Sequence, residues 1–441
     1  MAEVLEKPVQ LGGGNKGPNL DRKKSRKAVV AATIGNTLEW YDMAIYAYFA
    51  PAIAELFFPN ADPVASLLMT FAVFAIGFIV RPLGAFIFGP YGDKFGRKKA
   101  LSLAIILMGV ATFLIGVLPT YAQIGVFAPL LLVVFRMIQG LSAGGEWGSN
   151  TSFIVEYAPE TKRGFFGSWN QVSTAGGSLL GALVAFTITA IFPEEAVNTW
   201  AWRIPFILGI LICIFGYYLR TQLDETPKFQ ELGEKKVQSK TPLRDLFKYH
   251  KKDVFITFGF TVHWTGSYYL LLNYMPTYIK TELNMPYNTA LFINVIVLTF
   301  FIALVPLIGI LSDKIGRKPL LITSTLGFIL LSYPLFTIMS DGGLAVVILC
   351  QLALALFLAC YSGPGPAAIA ELTSTRVRSS ALSIGYNTAA AAFGGTAPFI
   401  ATYLISVTGN IFSPTFYVIG CGLLTFFVLL TLKETAKVPL K

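Results

Sequence analysis

Long apolar runs, each closed by a short polar or charged stretch, recur along the whole chain. They lie near residues 28–54, 64–91, 100–118, 124–155, 165–191, 203–219, 254–279, 289–312, 320–339, 344–370, 381–407 and 414–432. Each holds about the 20 helical residues needed to cross roughly 30 Å of hydrocarbon. They are too long and too uniformly apolar for barrel strands. The pattern predicts an all-α polytopic membrane protein of twelve transmembrane helices in two six-helix halves, residues 28–219 and 254–432. A polar tail (1–27), a central charged loop (220–253) and a short tail (433–441) are expected in the cytoplasm.

Composition agrees with lipid as the solvent: 54% of residues are hydrophobic and 13% charged, against about 25% charged in soluble domains. The net charge of +10 would suit a nucleic-acid partner, but the basic residues come in bursts at 22–27, 94–99, 162–163, 314–318 and 376–378. On the opposite side, the loops 57–63, 119–123, 193–200, 280–288, 340–343 and 408–413 hold Lys280 as their one basic residue. That asymmetry predicts insertion in a cell (inner) membrane with both termini cytoplasmic, and no nucleic-acid partner. Cys213, Cys350, Cys360 and Cys421 all fall inside apolar runs and are expected as free thiols. With His250 and His263 the only histidines, and no HExxH or CxxC motif, no enzyme or metal site is expected.

The chain repeats itself. Gly89-Pro-Tyr-Gly-Asp93-Lys-Phe-Gly96-Arg97-Lys98 recurs as Gly309-Ile-Leu-Ser-Asp313-Lys-Ile-Gly316-Arg317-Lys318, and Glu156 to Arg163 is echoed by Glu371 to Arg378. Each pair falls at the corresponding loop of its half, as parallel six-helix repeats require. A carboxylate there can pair with a nearby arginine or cap an approaching helix N-terminus. Asp93, Arg97, Asp313 and Arg317 are therefore the expected latch of the basic side. Gly363 and Pro364 interrupt the tenth run and read as a hinge or gate. The pairs Gly144–Gly145, Gly176–Gly177 and Gly394–Gly395 suit close helix contact.

The duplicated motif resembles the signature of the major facilitator superfamily. Gly35-Asn-Thr-Leu-Glu39-Trp-Tyr-Asp42, Arg81-Pro-Leu-Gly, Arg136-Met-Ile-Gln-Gly-Leu-Ser-Ala-Gly-Gly-Glu146, Glu156-Tyr-Ala-Pro and Trp202-Arg-Ile-Pro-Phe206 are similar to blocks of its metabolite:proton symporter family. The seventh run looks most like the proline/betaine branch. The resemblance implies alternating access and uptake, with protons, of solutes such as proline, betaine, 2-oxoglutarate, citrate or shikimate. Osmosensing members of that branch carry a long helical extension where this chain has residues 433–441, so the resemblance does not carry osmotic regulation with it.

Ionisable residues inside spans are costly and by default functional. Glu39, Asp42 and Tyr46 are spaced to share one helical face; Arg136, Gln139, Glu146 and Asn150 form another stripe, and Arg81 lies in the second run. Desolvation favours a protonated carboxyl and a nearby arginine the ionised one, so contacts made and broken between states can load and release a proton. Glu39, Asp42 and Glu146, with Arg136, are the expected proton-coupling residues.

The second half offers aromatics and amides instead: Trp264, Tyr268, Tyr269, Asn273, Tyr274 and Tyr278, with Asn294 and Asn387. Tyr278 is expected in an interfacial belt, and His263 as a packing residue. The expected substrate-binding set is Tyr46, Arg81, Gln139, Trp264, Asn273, Tyr274 and Asn387. Aromatic faces attract ammonium groups and arginine binds carboxylates, which favours a zwitterion such as proline or betaine. A di- or tricarboxylate on Arg81, Arg136 and Arg203, or a uniporter of the same fold, remains the alternative. The chain is expected to act as a monomer in lipid, with the proton as coupling ion and no other cofactor.

Overall fold

The computed structural model describes residues 36–37, 39–60, 62–95, 97–144, 146–221, 251–374, 378–438 and 440. The N-terminal tail and nearly all of the central loop lie outside them. Twelve helices cross the molecule among the described residues. In the first half they are α1 (36–57), α2 (63–95), α3 (Arg97–Val117), α4 (Phe127–Glu156), α5 (Arg163–Ile191) and α6 (Arg203–Thr221). In the second they are α7 (251–281), α8 (Tyr287–Ile315), α9 (Lys318–Asp341), α10 (Leu344–Leu372), α11 (Arg378–Thr408) and α12 (Ser413–Thr431). Eight of them are by themselves long and apolar enough to cross a membrane.

Local chemistry sets the boundaries. Asp62 caps α2 by accepting from the Val64 N–H at 2.9 Å, with Pro63 pre-set for the first turn. The fourth run was expected to start at 124. Instead Tyr121–Ile124 forms a separate turn under a Thr120/Gln123 capping box, and Gly125 at φ +60° ends it before α4 begins. α7 and α11 each contain a π-helical turn, Leu270–Tyr274 and Ala390–Gly394. Such turns release backbone groups from the regular ladder. The Leu272 carbonyl accordingly accepts from Tyr48 of α1 at 3.0 Å and Asn294 of α8 at 3.2 Å.

The halves meet mainly where α5 lies along α8 and where α2 and α4 lie against α11. Small residues permit the first contact: a Cβ on Gly309 would come within 2.8 Å of the Gly164 carbonyl oxygen. Of the expected glycine pairs, Gly177 abuts α1, and Gly394 and Gly395 abut Tyr269 and Phe78, whereas Gly176 faces open space.

Polarity is inverted relative to a soluble protein. Leu211, Leu349 and Phe427 are exposed, while Glu39, Asp42, Arg81 and Arg136 are all buried, the most open of them 4% exposed. The ionisable set therefore faces neither lipid nor bulk water.

Candidate functional site

Two separate polar networks occupy the first half. In one, Gln139 Nε2 donates to Asp42 Oδ2 at 2.6 Å and to Thr112 Oγ at 2.9 Å, while Arg136 Nη1 donates to Gln139 Oε1 at 3.0 Å. Arg136 lies 4.3 Å over the Tyr46 ring and 5.3 Å from that of Phe74. Asp42 Oδ1 also makes a short hydrogen bond with Thr112, whose hydroxyl lies 2.8 Å from the Met108 carbonyl. A hydroxyl has one proton to give. Thr112 meets both contacts either by sharing its proton between the two acceptors or by accepting from a protonated Asp42 while donating to Met108, so this geometry has room for a proton on Asp42.

The second network joins Glu39 to Arg81 at 3.6 Å. Phe78 and Trp40 cover the guanidinium, at 4.3 and 5.5 Å from their ring centres. The one-face expectation for α1 thus divides: Asp42 and Tyr46 meet Arg136, and Glu39, one turn earlier, meets Arg81. Glu146 lies half-buried just past Gly144, which caps the first part of α4.

Between the halves lies a small cavity lined by Trp40, Gln171 and Thr174 from the first and Trp264, Thr265, Tyr268, Tyr269 and Tyr386 from the second. Trp264 Nε1 donates to Ser362 Oγ at 2.9 Å, and Tyr386 stacks on Trp147 with ring centres 3.6 Å apart. Of the expected substrate-binding residues, Trp264 lines this cavity. Arg81 stands behind Trp40 and acts electrostatically on Tyr269 and Tyr386. Tyr46 donates to the Thr70 carbonyl and belongs, with Gln139, to the Asp42 network. Asn387 reaches across to the Gly144 carbonyl at 2.6 Å, at the break in α4. Tyr274 is engaged with Thr402 and packs edge-on against Phe71 of α2, and Asn273 is buried on the π turn. Sequence reasoning missed Trp40, Gln171, Thr174, Thr265 and Tyr386. The signal available was that Trp40 follows Glu39 directly.

Tyr278 is no belt residue: it is fully buried, donates to the Ile411 carbonyl at 3.1 Å and packs on Phe336. The π turn rotates its face inward. Arg203 is occupied by the Gly116 and Leu118 carbonyls at the end of α3.

The basic end is closed by a web of charges. Asp313 accepts the Gly164 and Phe165 N–H groups at the start of α5, at 2.8 and 2.9 Å. Arg317 binds Asp313 at 2.7 Å and Glu371 at 3.2 Å, and Arg378 reaches Glu156 of the other half at 2.8 Å. Residues after α12 fold over this web. Arg163 donates to the Val438 carbonyl, Thr435 to Glu371, and Glu434 accepts the N–H groups of Arg317 and Lys318. Burial pushes the Glu434 carboxyl up, but the N–H groups of Arg317, Ala436, Lys318 and Thr435 outweigh it and hold it below the usual range. The Asp93 and Arg97 side chains, the first copy of the latch, lie outside the described residues. Gly363 and Pro364 do interrupt α10, and a Cβ at Gly363 would meet Ile308 of α8 at 2.9 Å.

Residues 27–250 and 228–441 each match the sugar (and other) transporter family. The glycine betaine/proline/ectoine/pipecolic acid transporter OusA of Dickeya dadantii is 35% identical over 431 residues, 96% of this chain and 86% of that one. The proline/betaine transporter of Escherichia coli K12 is 34% identical with the same coverage. Among solved structures, a D-xylose-proton symporter superposes with a TM-score of 0.76 at 23% identity, covering 94% of this chain and 99% of that one. The xylose transporter XylE from E. coli, in a partially occluded inward-open conformation, gives 0.74 at 20% identity, covering 94% and 99%. The shared fold, the buried charges and relatives spanning nearly the full chain lead to one placement: this protein belongs to the sugar (and other) transporter family of the major facilitator superfamily, and it is a membrane transporter, not an enzyme.

Proposed function

We propose that the chain is a proton symporter of a small zwitterionic compatible solute, glycine betaine or proline, working by alternating access. The observation that carries this reading is the aromatic cavity between the halves with a buried arginine behind its wall. Trp40, Trp264, Tyr268, Tyr269 and Tyr386 offer ring faces to an ammonium group, and Arg81 offers a bidentate partner to a carboxylate. The names of the relatives agree with that chemistry. The rival di- or tricarboxylate would need further cations, but Arg136 is turned onto Tyr46 and Gln139, and Arg203 onto backbone carbonyls. Arg81 is the arginine left beside the cavity among the described residues.

The proton is held at Asp42, where the hydrogen-bond count has room for it, with Gln139 linking that carboxyl to Arg136. The latch of Asp313, Arg317, Glu371, Arg378 and Glu156 faces the cytoplasm, as do both termini, and opens when the solute is released inward. In this reading the chain works as a monomer in the inner membrane and needs no cofactor beyond the proton. Uptake of labelled glycine betaine, proline, 2-oxoglutarate, citrate and shikimate into proteoliposomes under an inward proton gradient tests it. Accumulation of the zwitterions alone supports the reading, and accumulation of the polycarboxylates alone overturns it.

A further inference from the structure

Most polar groups in the cavity wall are already engaged by the protein. Trp40 Nε1 donates to Asn36 at 3.2 Å and Trp264 Nε1 to Ser362 at 2.9 Å. Thr174 donates to the Asn170 carbonyl at 3.1 Å and Thr265 to the Thr261 carbonyl at 3.0 Å. The Tyr268 hydroxyl pairs with Ser178 at 3.2 Å. Three lining side chains keep a polar group without a hydrogen-bond partner among the described residues: Gln171 of α5, Tyr269 of α7 and Tyr386 of α11.

Gln171 differs from the two phenols. It is the one amide in the lining, and an amide carbonyl presents two lone pairs where a phenol oxygen also carries a proton. The side chain is 2% exposed, and a buried polar group left unmet is costly. Its backbone is pinned: Asn36 of α1 donates to Ser173 at 2.7 Å and to Thr174 at 3.1 Å, two and three residues further along α5. The same Asn36 holds Trp40, so the amide and the indole are set in one wall by one residue.

Rings and amide suit different ammonium groups. A quaternary ammonium has no N–H and is held by ring faces alone. A secondary ammonium keeps two N–H donors, and these call for an acceptor oxygen. We propose that Gln171 selects solutes by the N–H groups of their ammonium, accepting through Oε1 from a secondary ammonium and disfavouring a fully methylated one. This distinction rests on the zwitterion reading above and separates the two solutes grouped there. When a quaternary solute fills the cavity, the Gln171 carbonyl is shut off from water with nothing to accept from. Sites built to hydrogen-bond a ligand group discriminate strongly against the analogue that lacks it. The rings thus supply the attraction common to both classes, and Gln171 sets the preference between them.

The test is binding of proline and of N,N-dimethylproline to the purified protein in wild type, Gln171→Met and Gln171→Glu, read as the ratio of the two Kd values. The compounds share ring and carboxylate and differ in the N–H groups, so the ratio isolates that feature. Methionine keeps the length of the side chain and removes the amide. Gln171→Met should move the ratio about tenfold or more toward the dimethyl compound, the loss expected of a hydrogen bond to a charged group. Glutamate has an acceptor oxygen whether ionised or protonated, so Gln171→Glu should hold the ratio or move it the other way. An unaltered ratio in Gln171→Met overturns the proposal; equal weakening of both compounds would mean that the amide serves the shared carboxylate. If Gln171→Met binds neither compound, Gln171→Glu decides: a held ratio supports the selection, and a shift toward the dimethyl compound overturns it. Binding of neither compound by wild type would instead defeat the zwitterion reading itself.

Discussion

Asp313, at the end of α8 in the second half, accepts the Gly164 N–H at 2.8 Å, at the start of α5 in the first. A carboxylate on a helix N-terminus is favoured by both the orphan N–H groups and the helix dipole. Because the partners belong to different halves, the bond holds only while the basic end is closed. Asp313→Ala should therefore weaken that closure. Ser149 and Ser379 face each other across the same end, with their hydroxyl oxygens 3.1 Å apart. A Ser149→Cys/Ser379→Cys pair should form a disulfide in the closed state and reduce uptake at least tenfold until reduced, and adding Asp313→Ala should lower the cross-linking yield. An undiminished yield would remove Asp313 from the latch.

The cavity should select through its rings. Tyr269 lines it with a hydroxyl that has no hydrogen-bond partner among the described residues, so losing that hydroxyl leaves no orphaned group behind among them. Tyr269→Leu should raise KM for glycine betaine about tenfold, in line with the roughly 1–2 kcal/mol of a partly desolvated cation–π contact, with kcat little changed. Initial-rate uptake at several concentrations reads both constants.

How much of this was legible in the sequence follows from what each signal encodes. Twelve spans and the duplicated loop could be read because hydrocarbon thickness fixes run length and the basic bursts mark one side. Asp313 was anticipated as an arginine partner or an N-terminal cap because its motif sits where a helix meets water, and it does both. The rest of the cavity wall was not anticipated: Trp40 and Tyr386 look like any apolar residue of a span, and only the contacts of Trp40 with Tyr268 and Tyr269, and of Tyr386 with Trp264, bring them to one cavity. The face shared by Asp42 and Tyr46 followed from helical spacing, whereas assigning Glu39 to Arg81 required the position of α2. Tyr278 was misplaced because the π turn at Leu270–Tyr274 shifts the register of every residue after it.

The segment after α12 should stay anchored across physiological pH. Four N–H groups hold the Glu434 carboxyl below its usual range. A depressed folded value means that the carboxylate's stabilising contribution is complete above the unfolded pKa, about 4.3, and is lost as pH falls below it. Amide exchange at Arg317 and Lys318 should thus be flat from pH 5 to 8 after correction for intrinsic rates, and Glu434→Ala should speed it throughout. A midpoint inside that window would make Glu434 a pH sensor, contrary to this account.

Helix contact between the halves should be intolerant of bulk. A Cβ at Gly395 would run into the Phe78 ring, so Gly395→Leu must push α11 from α2. Overpacking of this kind typically costs about 1–3 kcal/mol. Thermal unfolding in detergent should report a clear fall in Tm, and an unchanged Tm would mean that the two helices do not pack as described.

The most direct measurement is accumulation of labelled glycine betaine in proteoliposomes with an acid exterior, for wild type and Asp42→Asn. Wild type should concentrate the solute above the external level and lose it when a protonophore is added, while Asp42→Asn should only equilibrate it. Accumulation by Asp42→Asn equal to wild type would contradict the account, as would a wild type that never exceeds equilibrium.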